Sequence, residues 1–284
     1  MPISNPINLL RFSIYTFVLC ACFAGGSHAA TQQSVIIGMS PWTHQDILFK
    51  WARPVISYME NASGMKIRLA SAQDLGQYFE KAKSYKFDLM ISPMHLGLHL
   101  IKHHNYTPLV LMHTGTQIVM VGNVDAGVYS LNDLQGKSVL VPLDISIGRL
   151  MAKHELSVRG IQANLVEHKD HWKVIEGLRR GKGAAGVFMR NLYLMKDEAF
   201  RKKNVIIYEN PVVLNGFLLK APNGPDASKI VDALVQFHTD DPRALLKSAE
   251  RITPELMADL YDKLAPYLKL LEQEVLPARV SQNP

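Results

Sequence analysis

Hydrophobic positions along this chain follow two periods. Short runs rich in Val, Ile and Leu recur at residues 34–39, 65–70, 86–92, 107–113, 116–122, 138–142, 161–166, 184–188, 204–208 and 212–220, bounded by turn residues as buried strands are. Between them lie segments with apolar residues at helical spacing, which predict helices over 47–63, 75–83, 93–104, 148–158, 171–180 and 190–202. From Ala227 on the pattern is helical, including the stretch PELMADLYDKLAPYLKLLEQEV. Ser130 and Asp133 sit where a short helix would be capped, and Gly136 ends it. Strand and helix alternate almost throughout, which predicts an α/β fold with parallel sheets and right-handed crossovers.

The pattern falls into two such units joined by two crossings, with the segment 212–220 reading as a return to the first. The expected organisation is one lobe from 34–122 plus 212–284, a second from 126–208, and hinge crossings near 122–126 and 208–213. A cleft would then lie between the carboxyl ends of the strands of both lobes.

Composition narrows the class. The chain has 284 residues, 48% apolar, enough to bury one large core or two modest ones. Its formal charge is +6, but the basic residues are scattered, with small clusters at Arg179-Arg180-Gly181-Lys182 and Arg201-Lys202-Lys203. No reading motif or stacking platform accompanies them, so no nucleic acid is expected as a partner. Arg11, an apolar run from Phe12 to Ala24 and the small residues Ser27 and Ala29 form a secretory signal with cleavage near Ala29. The run is too short for a membrane span. The LCAC stretch offers the alternative of a lipoprotein anchored through Cys22. Both cysteines, Cys20 and Cys22, lie in this leader, so the mature chain has no disulfide, thiol nucleophile or thiolate metal site. Without residues 1–29 it carries 30 basic against 25 acidic residues, and an exported, cysteine-free α/β protein of this size points to a periplasm.

The stretches VIIGMSPW, FDLMISP, SLNDLQGKSVLVP and HWKVIEGLRRGKGAAGVF, in this order and spacing, resemble the phosphate/phosphite/phosphonate periplasmic substrate-binding proteins of ABC transporters. The resemblance covers residues 34 to about 240. It implies the two-lobed, type II-like periplasmic binding protein fold, a small-molecule ligand captured by hinge closure, no cofactor, a monomer, and delivery to a membrane permease. The same closure also suits a sensor that reports a solute to a histidine kinase.

The resemblance further implies that an oxyanion sits on a Ser/Thr triplet before the glycine opening a second-lobe helix. In this chain that triplet reads Ile145-Ser146-Ile147, after Asp144 and before Gly148. Two hydroxyls are missing; Ser146 and the backbone amides of the helix start remain. Alternatively the loop is a plain turn with Ile145 and Ile147 packed. The family histidine matches His171, a ligand donor or else a helix cap. A family tyrosine falls near Leu75, with Gln73 and Tyr78 close by; a family aromatic falls at His95-Leu96, and a family acid at the neutral Asn215. The candidate ligand-binding residues are Trp42, Thr43, Ser92, His95, Asp144, Ser146, His171 and Asn215. A phosphonate fits this set poorly, and a less charged or partly apolar ligand is expected, walled by Trp42, Ile145 and Ile147.

His95, His99 and His103 recur every four residues, a spacing that can chelate zinc or copper. A metal-complex binder built on them is therefore a further alternative. His99 and His103 fall about 6 and 12 Å farther along the helix than His95, at about 1.5 Å per residue, and no Asp or Glu accompanies them. A surface face is the simpler reading, so no metal site is assigned. There is no nucleophile elbow, nucleotide loop or paired carboxylate motif, and the Asp240-Asp241 pair before Pro242 reads as a turn. An enzyme is not expected.

Overall fold

The computed structural model describes residues 34–143, 145–240 and 246–275; the leader and its cysteines, and Asp144, lie outside these. The elements run β1 (Ser34–Met39), α1 (Gln45–Ser63), β2 (Lys66–Ala70), α2 (Leu75–Lys83), β3 (Leu89–Pro93), α3 (Met94–His104), β4 (Thr107–Thr116) and β5 (Ile118–Asn123). They continue with β6 (Ser138–Pro142), α4 (Ile147–Val158), β7 (Asn164–His168), α5 (His171–Arg179), β8 (Ala185–Met189), α6 (Arg190–Leu194) and α7 (Glu198–Lys203). Last come β9 (Asn204–Glu209), β10 (Leu214–Lys220), α8 (Ser228–Gln236), β11 (Ser248–Arg251) and α9 (Pro254–Val275). Short 3-10 turns occupy 124–126 and 131–134, the latter closed by the expected Ser130/Asp133 capping box and followed by Gly136 at φ +71°.

Two sheets result, ordered β11-β4-β10-β3-β1-β2 and β7-β6-β8-β5-β9. Both are mixed, within the expected two-sheet α/β class. β1 pairs in parallel with β2 and β3, and β6 with β7 and β8, whereas β10 and β5 run antiparallel to their neighbours. The reason lies in the crossings. β5 follows β4 with only Gln117 between them, so it enters the second sheet from the carboxyl ends of β6 and β8 and must run against them. β5, expected in the first lobe as part of 34–122, thus pairs within the second sheet, and the chain first crosses between the sheets at Gln117. The return crossing is 210–213.

The crossings are stitched together. Gln117 Nε2 donates to the Asn210 carbonyl (3.1 Å), Asn210 N donates to the Ile118 carbonyl (2.9 Å), and Asn210 Nδ2 donates to the Tyr267 hydroxyl of α9 (2.9 Å).

Three apolar clusters hold the sheets. Strand period 2 divides them: in β10, Leu218 faces one cluster while Phe217 and Leu219 face another. One cluster lies under α1 and α8, and one under α5. The largest joins both sheets through α3, α4 and α9, with Leu96, Leu98, Leu150, Met151, Leu260, Leu264 and Leu271 in it. α9 therefore packs on helices of both sheets, although its sequence position placed it in one lobe. Gly97 lets α3 approach β10 closely, since a Cβ there would lie 2.5 Å from the Phe217 ring.

Two helical expectations are corrected. The 190–202 segment breaks into α6 and α7 because the Asp197 carboxylate accepts from Phe200 N (2.7 Å) and starts a new helix. Within the tail expected to be helical, β11 is a strand antiparallel to β4. Its SAER sequence carries no strand periodicity; the open edge of β4 recruits it.

Candidate functional site

Parallel strands bring their carboxyl ends, and the helices that follow, to one edge of each sheet. In the first sheet that edge holds the 40–44 loop after β1, Ser92 and His95 at the β3–α3 junction, and Asn215 at the start of β10, next to the Gly216–Pro93 pair. In the second it holds the loop between β6 and α4 with Ser146, and the β7–α5 junction with His171. The edges meet: His95 Nε2 lies 2.9 Å from the Ile145 carbonyl oxygen. A carbonyl only accepts, so the His95 proton is on Nε2.

His95 is 2% exposed, and burial lowers its pKa to about 4 against the opposing effect of the bond to Ile145, with neighbouring His99 lowering it further. His171, 7% exposed, is likewise lowered to about 4, by burial, with Asp170 opposing. Both are neutral at pH 7.

The opening loop of α4 spends its own polar groups. Ser146 Oγ caps the helix by accepting from Arg149 N (3.2 Å), and Ser146 N donates to the Leu143 carbonyl (2.9 Å). Ile145 and Ile147 are buried in the core that joins the two sheets. Asp144 lies outside the described residues. Ser92 is buried with its hydroxyl 3.1 Å from the Pro93 carbonyl. Tyr78 is a core residue, its hydroxyl donating to the Ile91 carbonyl at 2.9 Å.

Other candidates have polar atoms left over. Thr43 Oγ1, His171 Nδ1 and Asn215 Oδ1 are buried and have no hydrogen-bond partner among the described residues; the same holds for Trp172 Nε1. Thr43 and Trp172 line one cavity of about 410 Å³ between the start of α1 and the face of α5. Trp42 is turned elsewhere. Its ring lies 5.4 Å from that of Trp51 and packs on the cluster under α1, apart from Ile145 and Ile147, so the expected three-residue apolar wall is not assembled.

On the histidine face of α3, the rings of His99 and His103 lie 4.5 Å apart while His95 is directed away from them. His95 turns to Ile145, His99 is buried with its ring 5.3 Å from Phe79, and His103 Nε2 lies 3.3 Å from Glu272. Among the described residues no group of three or more His, Cys, Asp or Glu side chains is placed to hold a metal ion.

The sequence model of the phosphonate periplasmic substrate-binding proteins of ABC transporters matches residues 37–260. This chain belongs to that family. The family supplies the periplasmic substrate-binding components of ABC transporters, which are transport proteins binding small ligands. No curated protein sequence matches the chain.

Solved structures share the fold at low identity. PhnD1 from Prochlorococcus marinus, in complex with methylphosphonate, has TM-score 0.69 and 12% identity, covering 83% of this chain and 99% of that one. A binding protein component of an ABC phosphonate transporter from Pseudomonas aeruginosa has TM-score 0.69 and 12% identity, covering 86% and 95%. The alkanesulfonate-binding protein SsuA from Xanthomonas axonopodis pv. citri, bound to MOPS, has TM-score 0.54 and 13% identity, covering 85% and 78%.

Sequence reasoning missed two groups at this edge. Trp172 was visible only as the neighbour of His171, and Lys196 was hidden inside an expected continuous helix. The Asp197-Glu198 pair, a helix-start signal, was the clue to the break.

Proposed function

We propose that this protein captures a small solute between the carboxyl edges of its two sheets, closes by rotation about Gln117 and 210–213, and delivers the solute to the membrane permease of an ABC transporter. In this reading the sheets define the lobes, and Thr43, His95, His171 and Asn215 face the solute. The observation that carries it is the set of unpartnered buried polar atoms, Thr43 Oγ1, His171 Nδ1 and Asn215 Oδ1, gathered on the facing edges. Leaving such a group unsatisfied costs about 1–3 kcal/mol, which a ligand recovers on binding. Closure follows because only a ligand touching both edges stabilises the closed arrangement.

The solute is less charged than a phosphonate. The loop 145–148 lacks two of the three hydroxyls of the family pattern, and its remaining hydroxyl and first amide are already bonded within the loop. Each absent charge-assisted hydrogen bond is worth about 1.5–3 kcal/mol, so two weaken phosphonate binding by roughly two to four orders of magnitude. Export proceeds through the 1–29 leader, with the mature protein starting near Ala30.

Native mass spectrometry of protein purified without refolding tests the reading. It should show a chain beginning near Ala30 and a non-covalent small-molecule adduct lost on denaturation. Absence of any adduct, before and after incubation with a periplasmic extract, would overturn the solute-binding reading. A phosphonate adduct would overturn the reading of the loop.

A further inference from the structure

The break between α6 and α7 sets Lys196 at the rim of a cavity between α1 and α5. Its Nζ lies 4.1 Å from the centroid of the Trp172 ring and borders the same cavity of about 410 Å³ as Thr43. A cation over an indole face is a favourable contact. It leaves the ammonium without a counter-ion, however. The nearest acid in sequence, Asp197, is engaged twice: Oδ1 accepts from Phe200 N, and Oδ2 lies 3.4 Å from Arg179. No carboxylate among the described residues reaches Lys196 at ion-pairing distance.

The other charges on the cavity wall are Asp170, Lys173, Glu176 and Arg179, the last paired with Asp197. Asp170 caps α5 by accepting from Lys173 N (2.9 Å), and Glu176 pairs with Lys173 (2.8 Å) and Arg180 (2.5 Å). The Asp170 carboxylate keeps its charge, and Lys196 is the lining cation with no carboxylate partner among the described residues; the Thr43 hydroxyl and the Trp172 Nε1–H are buried donors, also without a partner among them. Ile47 and Ile175 supply apolar wall. The wall carries the cations Lys173, Arg179 and Lys196 against the carboxylates Asp170 and Glu176, and this excess of one positive charge beside apolar surface is complementary to a ligand with one negative charge and an apolar body.

We infer that Lys196, with Thr43 and Trp172, holds the head group of a small organic monoanion whose body lies against Ile47 and Ile175, an assignment that rests on the solute-binding reading above. Burial, with Arg179 adding to it and Asp197 opposing, pushes the Lys196 pKa below the ordinary lysine value. A bound anion relieves that penalty, so the unliganded cleft favours an anion over a neutral solute of the same shape. The carboxylate and the sulfonate share this chemistry, and the experiment separates them.

Calorimetric titration of the full mature chain with butyrate, propane-1-sulfonate and the neutral butyramide is the test. At least one anion should bind, with butyramide at least tenfold weaker. Lys196→Met, which keeps the apolar stem on the indole ring, should weaken the anion by tenfold or more, as loss of a charge-assisted contact does. It should leave butyramide unchanged, and Lys196→Arg should restore the anion to within about threefold. Equal binding of the anions and the amide, or an unchanged anion affinity in Lys196→Met, overturns the assignment and leaves solute binding intact. Binding of none of the three also overturns it; the adduct seen or not seen by native mass spectrometry then decides separately whether the solute-binding reading stands.

Discussion

Neutral histidines at the facing edges tie stability to pH. His95 and His171 have folded pKa values near 4 against about 6.5 when exposed, both lowered chiefly by burial. Between pH 6.5 and 4 the unfolded chain binds more protons than the folded one. The stability these residues contribute is therefore complete above about pH 6.5 and is lost as pH falls toward 4. At pH 5 each accounts for a loss of about 1–2 kcal/mol. Thermal unfolding followed at pH 7.5 and 5.0 should show a fall in midpoint of several degrees, and His95→Asn should shrink that fall while lowering the midpoint at pH 7.5. A midpoint independent of pH across this window would mean that these imidazoles are accessible to protons in the folded state.

Elements reach the site through close approaches and caps. α3 carries His95 to the cleft because Gly97 rests directly on Phe217 of β10. Gly97→Ala places a methyl in the ring and should destabilise the protein by about 1–3 kcal/mol, the usual cost of overpacking a filled core. Phe217→Leu in the same chain should recover part of that loss, because the clash is with the ring. Urea midpoints of the two single variants and the double variant measure the coupling; strictly additive effects would show that α3 does not bear on Phe217. The α6–α7 break is a second case, where one carboxylate, Asp197, turns an amphipathic run into two short helices and brings Lys196 out over Trp172.

Across the whole molecule the two sheets share one core. α9 supplies Leu260, Leu264, Tyr267 and Leu271 to the cluster that α3 and α4 also enter, and its Tyr267 bonds the Asn210 crossing. Its ion pairs, Glu272 with Lys102 (2.9 Å) and Glu274 with Arg149 (2.8 Å) and Lys153 (3.0 Å), reach both sheets as well. The Glu272–Lys102 pair is partly exposed and adds under about 1 kcal/mol. Leu264, fully buried, matters more: Leu264→Ala should cost about 2–5 kcal/mol. Because the core is continuous, that loss should move a single cooperative unfolding transition, seen alike by far-ultraviolet circular dichroism and tryptophan fluorescence. Two separated transitions would show that the sheets unfold independently.

The α/β class, the ten strand runs and the facing junctions at 92–95, 145–148 and 170–172 were legible from the chain, because period-2 and period-3.6 burial and helix caps are local signals. The candidates His171 and Asn215 came only from the family pattern, since nothing in their immediate neighbours distinguishes a cleft residue from a turn. Tertiary structure alone decided the rest. Whether β5 belongs to the first or second sheet depends on which edge accepts its hydrogen bonds, and β11 is a strand only because β4 offers it a partner. The bond from His95 to Ile145, the turning of Trp42 toward Trp51 and the seat of Lys196 over Trp172 join residues from different elements. Such contacts follow from how the two sheets and α9 pack against one another, and no period within a single segment encodes them.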